Sequence, residues 1–554
     1  MNRMYAYQAP GVYFEWQDIA ARAPGIQRTD IAGFIGIADR GPLHRPVKIE
    51  SWTQYVSAFG AQMPQSYLAY GVEGFFANGG RRCWVVRVAD PNEARFASLD
   101  LYDDDDELTL ALTAKWAGRW AHRLIVTVLR TGLERFSLMI RLADGGQEIW
   151  SDLSMNPDDP RYALTVLNDA SSGSAWVTLE DWAANPVFPY NPPNASSETL
   201  QQGSGRLSGG ADGLSTLTKA HLSGWDAPPN QRWGLACLED IDEIAMVAIP
   251  DIMPRLHIEP AYHEVPFDCR QIEPANEPPL YEEEALEFPP NFDEEDILEL
   301  QRHLVSHCEI LKDRFALLDM PPTAIEPDQA IAWRRQFDTS FAALYHPWIT
   351  VADPLVLSGI VRRIPPSVHV AGIYARGDLA KGVHTPPANQ VLEGVMAINA
   401  VIDDRVYGYL NEQGIDVIRP YSGRGIRVSG ARTLSSDTEL RYINVRRLLM
   451  MIIEVIDERS QDLVFEPHNP ELWRRIERVG GAFLDQIWRA GMLDGATAAD
   501  AYYLRCDTET NPPEEQDQGR VMALIGVNPP WPAEFVVVRI GFTESGATLL
   551  EGGV

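Results

Sequence analysis

Residues Gly425 to Thr433 read GIRVSGART, with two glycines at the spacing of a phosphate-binding loop. That chemistry needs a lysine after the second glycine to reach the phosphates, and Ala431-Arg432 stand there instead. A tight loop before a helix is the plainer reading, with a backbone anion nest as the residual chemistry. Gly203-Ser204-Gly205 and Gly423-Arg424-Gly425 lack the third glycine of a dinucleotide fingerprint. His303 and His307 are four residues apart, on one face of a predicted helix, which is a zinc-binding spacing. Leu304 occupies the place of a zincin's glutamate, no third ligand is evident, and two surface histidines are the favoured reading. The dense carboxylates of 281–299 (YEEEALEFPPNFDEEDILE) read as a solvated face, because nothing in the sequence sets one against another. No G-x-S-x-G elbow occurs. No catalytic residue, cofactor or metal ligand is assigned.

The 554 residues carry 47 basic and 78 acidic side chains, a formal charge of −31. That balance argues against nucleic acid as a partner. At this length three or four domains are expected, with a sizeable core from 45% hydrophobic residues. Five scattered cysteines (Cys83, Cys237, Cys269, Cys308, Cys506) fit a reducing compartment rather than a disulfide framework. The start, MNRMYAYQAPG, has no apolar signal core, and no run of about 18 apolar residues occurs. Synthesis in the cytoplasm without membrane insertion is therefore expected.

The elements that would position any site follow an α/β order. Ile31–Ala38 and Cys83–Val88 are short apolar runs expected as buried strands. Between them lie helices predicted at Ser51–Phe59, with Ser51 as cap, and at Tyr67–Phe76, ended by Asn78-Gly79-Gly80. Composition shifts near Asp90. The acids Asp103–Glu107 read as a solvated loop, Leu124–Leu129 and Phe136–Ile140 as strands, and 185–205 as a linker. Residues 91–215 are thus expected to be an inserted β-rich domain, facing outward because an insertion must leave a core through its surface. The α/β pattern returns with a strand at Ile244–Ile249. An irregular acidic stretch follows at 259–291. A helix from Phe292 carries the stripe Ile297, Leu300, Leu304, Cys308, Leu311, Phe315 and Leu318, of which Phe315–Leu318 fits the next strand equally well. Trp348–Val351 continues the core. Leu440–Ile456 is apolar almost all round and predicts a buried helix. Pro470–Arg489 predicts a helix with the stripe Leu472, Ile476, Val479, Phe483 and Ile487, stopped by Gly491.

Two strands have no evident mate. Val12, Phe14 and Trp16 alternate with polar neighbours in residues 1–25, an extended arm with no hairpin partner. Glu534–Phe542 (EFVVVRIGF) is a terminal strand, also without a close hairpin partner. Unpaired strands are unstable in water.

Several blocks resemble the contractile tail sheath family, whose members occur in phage tails, type VI secretion and extracellular contractile injection systems. They are TDIAGFIGIADRGP (29–42), SYLAYGVEGFFANGGRRCWVVRV (66–88), LSGGADG (207–213), GLACLEDIDEIAMVAIPD (234–251) and CEILKDRFALLDMPP (308–322). More specific are AGIYARGD (371–378), RPYSGRGIRVSGARTLSSD (419–437), INVRRLLMMIIE (443–454), FEPHNPELWRRI (465–476) and PPWPAEFVVVRIGF (529–542). The resemblance is closest to the phage-like and extracellular group, and it is poor over the insertion, 259–291 and the acidic runs.

It implies an α/β fold: a subtilisin-like core (26–90 and 216–528) without a protease triad, the inserted outer domain, and terminal strand arms at 1–25 and 529–554. It implies a structural subunit, not an enzyme, that stacks as hexameric rings around an inner tube. Contraction would drive the tube through a target envelope, with baseplate, terminator or cap proteins, and sheath paralogues, as further partners. It also implies that the arm strands, through Val12, Phe14 and Trp16 and through Phe535, Val536, Val537, Val538 and Ile540, enter the core sheet of neighbouring subunits. Strand addition would satisfy both orphan strands, while flanks such as Ala20–Gly25 let subunits rotate. Contraction would draw on energy stored at assembly, since no nucleotide site is evident.

The 470–489 helix carries Arg474, Arg475, Arg478 and Arg489 in an acidic chain. These arginines could hold an acidic patch of the tube, or simply pair with Glu471 and Glu477 on their own helix. A non-contractile shell or baseplate protein, and a hydrolase on a subtilisin-like fold, stand as alternatives.

Overall fold

The computed structural model describes residues 28–143, 145–181, 192–194, 203–225, 227–228, 231–255, 286–355, 361–400, 402–460, 466–517, 521–532, 539–543 and 546–550. Val12, Phe14, Trp16, Ala20–Gly25, Cys269, Phe535, Val536, Val537 and Val538 lie outside the described residues, as does nearly all of the acidic stretch.

Nine strands form the central sheet: Ala32–Gly36 (β1), Pro46–Ile49 (β2), Cys83–Arg87 (β3), Met246–Ala248 (β4), Phe315–Asp319 (β5), Ala342–His346 (β6), Gln390–Val391 (β7), Asp416–Tyr421 (β8) and Gly425–Ser429 (β9). Their spatial order is β7-β9-β8-β6-β5-β4-β1-β3-β2. The six strands from β3 to β8 in that order run parallel. Antiparallel pairs close both margins. Parallel strands are covered on both faces, so their sequences are apolar without alternation. Every residue of β1, β5 and β6 is buried accordingly.

Parallel neighbours need crossover connections, and the helices supply them. Helices Trp52–Phe59 (α1) and Leu68–Ala77 (α2) lie between β2 and β3 in sequence. Ser51 caps α1, its Oγ accepting from Gln54 N at 3.1 Å, and Gly79 ends α2 in the left-handed region at φ 104°. Glu294–Leu311 (α3) joins β4 to β5, and Ser367–Ala380 (α4) lies between β6 and β7. Lys312 turns left-handed after α3, so Phe315–Leu318 continue as strand rather than helix. The sequence reading passed over β2, a four-residue marginal strand with one buried side chain.

Residues 98–206 contain a three-stranded and a four-stranded antiparallel sheet. They enclose their own apolar core around Leu112, Trp120, Val126, Phe136, Ile140 and Leu153. The acidic run is the turn between the strands Ser98–Tyr102 and Leu108–Ala114. It is not wholly solvated. Asp103 is buried, its Oδ1 accepting from Asp105 N and Glu107 N at 2.9 and 3.0 Å. A carboxylate can close a turn by taking backbone donors, as it does here.

The chain crosses out of and back into the central layer side by side, Asp90 N donating to Gly213 O at 2.9 Å. The fully buried Arg87 bridges the crossing by donating to Ala38 O, Gly41 O and Ala117 O, each at 2.9 Å.

Beyond β9 come the helices Ile443–Ser460 (α5) and Pro470–Arg489 (α6), then two antiparallel pairs, Tyr502–Arg505 (β10) with Leu524–Val527 (β11), and Arg539–Thr543 (β12) with Gly546–Leu550 (β13). A third core of Leu448, Met451, Ile452, Val455, Phe483, Leu484 and Ile487 joins the two helices. α5 is not buried all round, because Ile453 is 57% exposed. It straddles two cores instead: Ile443 and Met450 reach the central one, Leu448 and Met451 the third.

The GIRVSGART segment also differs from expectation. Its first five residues are β9, paired with β8 in a hairpin. Gly430 packs against Asp416, whose Oδ1 accepts from Arg432 N at 2.9 Å. The next helix starts only at Ile443. The glycines therefore serve a hairpin turn, at Gly423 and Gly425 with φ 69° and 78°, and a close strand approach.

Candidate assembly surfaces

Two buried carboxylates of the central layer are held by backbone and hydroxyl donors. Asp319, at the end of β5, accepts from Ser367 N at 2.8 Å and Ser367 Oγ at 2.6 Å. Both residues are buried, which closes this serine–carboxylate pair to a substrate. Asp251, after β4, accepts from Ile37 N (2.7 Å), Tyr67 N (2.6 Å) and Ser66 Oγ (2.8 Å). Cys83, Cys237, Cys308 and Cys506 are free and buried. Burial pushes the Cys237 thiol up to about 12 and those of Cys83 and Cys308 higher, so little reactive thiolate forms.

His303 and His307 are not two surface histidines. His307 is 8% exposed in the α3 interface, and His303 stacks on Trp225 with ring centroids 4.9 Å apart. The stripe that buries α3 is wide enough to take in His307. Among the described residues, no group of three or more His, Cys, Asp and Glu could hold a metal.

These buried groups set a pH dependence. Burial lowers His44, His307, His346 and His369 from 6.5 to about 4. A histidine kept neutral in the fold contributes stability above about pH 6.5 that is lost as pH falls towards about 4. Asp319 opposes them. Burial raises it from 3.8 to about 7, so its contribution is present in acid and lost as pH rises between those values. Asp212, Asp251 and Asp378 are raised in the same sense as Asp319, and His221 and His384 are lowered like the four histidines. The histidines titrate across this window, and the urea midpoint should fall between about pH 7.5 and pH 5. Asp319→Asn should raise the midpoint at the higher pH and steepen the loss in acid.

The α6 helix is fixed by Asn469, whose Oδ1 accepts from Glu471 N and Leu472 N at 2.9 and 3.0 Å. Leu472, Trp473, Phe483, Leu484 and Ile487 are buried beneath it, while Ile476 and Val479 of the predicted stripe are only half-buried. Arg474, Arg475, Arg478 and Arg489 are all exposed. At 3.6 residues per turn they fall within about 100° of arc. Their contacts differ from those expected. Arg475 pairs with Glu466 at 3.2 Å, Arg489 pairs with Asp485 at 2.8 Å, and Arg474 Nε donates to Pro470 O at 3.1 Å. Glu477 instead accepts from Cys506 N at 2.9 Å. Surface pairs of this kind are worth little, so the face can exchange partners cheaply.

The last four residues of EFVVVRIGF, Arg539–Phe542, do have a hairpin partner, where the sequence offers none close by. β12, which includes Ile540, pairs with β13 in the register Ile540↔Leu549 and Thr543↔Gly546, with Glu544-Ser545 between. The short strand GATLL is too weakly patterned to read from the sequence. The pair makes no larger sheet among the described residues. β10–β11 is likewise two-stranded there, with one side against the α6 core and with Tyr503, Leu524 and the nearby Met522 about half exposed. Its strands are four residues each, with the short helix Pro513–Asp517 between them, a pattern too brief to read as strands from the sequence.

The comparisons with known proteins follow this architecture. Residues 287–434 match the phage tail sheath protein central domain, and 435–543 match the phage tail sheath C-terminal domain. The tail sheath protein of Burkholderia phage BcepMu is 31% identical over 219 residues, covering 38% of this chain and 44% of the relative, so the match spans less than half of that relative's length. In three dimensions the chain is similar to the helical sheath of the anti-feeding prophage in its contracted state (TM-score 0.54, 19% identity, 97% and 100% of the two chains). It is also similar to the contracted sheath complex of PVC, an extracellular contractile injection system (TM-score 0.52, 19% identity, 98% and 99%). The mixed helix and strand architecture with several sheets is thus the fold of sheath subunits. Residues 287–543 match the two domains of phage tail sheath proteins, and the architecture is similar to that of sheath subunits. Among the described residues, no helix is long and apolar enough to cross a membrane.

Proposed function

We propose that this chain is the structural subunit of a contractile sheath, stacked as hexameric rings around an inner tube and contracting to drive that tube through a target envelope. The observation that carries this reading is the sheath fold along 97% of the chain, together with the two sheath domains over 287–543. The function needs no catalytic group. The mainly parallel central sheet with helical crossovers supports the subtilisin-like reading of the core, spanning 26–90 and 216–528. The separate core of the β-rich part supports treating 91–215 as an outward-facing insertion. The particle is phage-tail-like, assembled from cytoplasmic subunits, with baseplate and terminator or cap proteins, and paralogous sheath subunits, as further partners.

The arms at 1–25 and 529–554 link neighbouring subunits by strand addition. β10–β11 suits the receiving role better than the central sheet does, whose margins are the two-residue β7 and the four-residue β2. A two-stranded sheet with open edges gains most from added strands. The prediction is that the purified chain forms hollow, ribbed cylinders in negative stain. A serine-reactive probe labelling one site, with no cylinders, would support a hydrolase instead.

The exposed arginines of α6 hold an acidic patch of the inner tube in the extended state. Arg474→Glu combined with Arg478→Glu should weaken co-sedimentation with the tube protein at least about tenfold at low salt, and high salt should weaken the unmodified pair likewise. Tube binding unchanged by both would assign these arginines to solvent.

A further inference from the structure

One turn of α5 reaches the roots of both terminal segments. Arg447 Nη2 donates to Thr29 O at 2.8 Å. Asn444 Nδ2 donates to Pro530 O at 3.0 Å and to His384 O at 2.9 Å. Just ahead of the helix, the Tyr442 ring meets Trp531 edge-on with centroids 5.6 Å apart. Thr29 and Pro530 are the roots of the two terminal segments, more than 500 residues apart in sequence.

The turn itself is firmly seated. Arg447 is 3% exposed and grips the equally buried Asp378 of α4 through two contacts, 2.6 and 3.1 Å. Its guanidinium lies 4.7 Å from the centre of the Tyr374 ring, and the Tyr374 hydroxyl is 2.8 Å from that of Tyr345 on β6. A continuous path thus runs from Thr29 through Arg447 and Tyr374 to the middle of the central sheet. A buried ion pair adds little stability over an apolar pair of similar volume. What this one adds is geometry: an arginine can hold a carboxylate with two N–H groups and keep others for a carbonyl.

We propose that Asn444 and Arg447 form a common anchor that couples the roots of both arms, so that load applied by a neighbouring subunit to either arm passes into α5 and the central sheet. The coupling of the roots stands on the contacts above, and the transmission of load between subunits rests on the sheath reading.

Hydrogen exchange on the isolated full-length chain separates the two. The variants are Asn444→Ala and the paired Asp378→Leu/Arg447→Met, which leaves no unmatched charge buried. Each should raise exchange about fivefold or more at its own root, near Trp531 and near Asp30 respectively, as the loss of one buried hydrogen bond implies. The result particular to a shared anchor is the crossed effect, in which Asn444→Ala also speeds exchange near Asp30. Exchange raised only at the altered root, or at neither, overturns the common anchor. Should the paired variant fail to fold, Asn444→Ala decides the matter alone through that crossed effect. A wild-type chain that never forms sheath would refute the sheath reading and leave the exchange result standing.

Discussion

Deleting residues 1–18 should leave a folded chain that no longer assembles. The segment contains the alternating Val12, Phe14 and Trp16. Arg447 and Asp378 secure the root at Thr29, and the described residues enclose a central core of their own. The monomer's melting temperature should therefore move by only a few degrees, corresponding to about 1 kcal/mol or less. Assembly should be lost, because each added strand supplies a row of backbone hydrogen bonds and an apolar face to the neighbour. Size-exclusion chromatography and electron microscopy read the two effects separately. Normal sheath from the truncated chain would refute the arm's role, and an unfolded monomer would show that the arm belongs to its own subunit's core.

Replacing Asp251 with leucine should have the largest effect on stability. The carboxylate joins the end of β1 to the start of α2: it takes Ile37 N on one side, and Tyr67 N and the Ser66 hydroxyl on the other. Gly36 makes the approach feasible, since a side chain there would collide with the Asp251 carboxylate. Burial raises the pKa of Asp251, with the neighbouring Arg255 and the three donors acting against that rise. Leucine would strand two buried backbone donors, Ile37 N and Tyr67 N, at about 1–3 kcal/mol each, while the Ser66 hydroxyl keeps Ile37 O as its acceptor at 2.7 Å, a loss of about 2–6 kcal/mol. Against a typical stability of about 5–15 kcal/mol, soluble yield should collapse, and any folded protein should unfold at a much lower urea concentration. Asp251→Asn should fall between, because its amide can satisfy one side of the junction but turns a donor towards the other. A leucine variant as stable as the parent would mean that the junction is held by packing alone.

The elements best read from the sequence are those whose signal is local. The five-residue apolar run of β1, the Ser51 cap of α1 and the Pro470–Arg489 helix follow from spacing and capping, and the structure has them. What the sequence hides is pairing. β13 is weakly patterned and β2 is short, and both are strands because of the neighbour they meet. The same holds for polar groups. Nothing in a run of five acids distinguishes Asp103, which turns inward, from the acids beside it. His307 reads as a surface residue until the width of the α3 contact is known. GIRVSGART looked like a loop because glycine spacing is shared by phosphate loops and tight hairpins. From the sequence come two orphan terminal strands and a basic helix face as candidate assembly surfaces, and the described residues give the second strand a partner in β13. The anchor at Asn444 and Arg447 is not legible there, because it joins residues from opposite ends of the chain.

Cryo-electron microscopy of particles assembled from this chain around its tube, before and after a contraction trigger, tests the central claim most directly. The account predicts two helical lattices of the same subunit, the second shorter and wider, with both arms still paired to neighbours in each. A single lattice that keeps its length and diameter after the trigger would contradict it, and would assign the chain to a static shell.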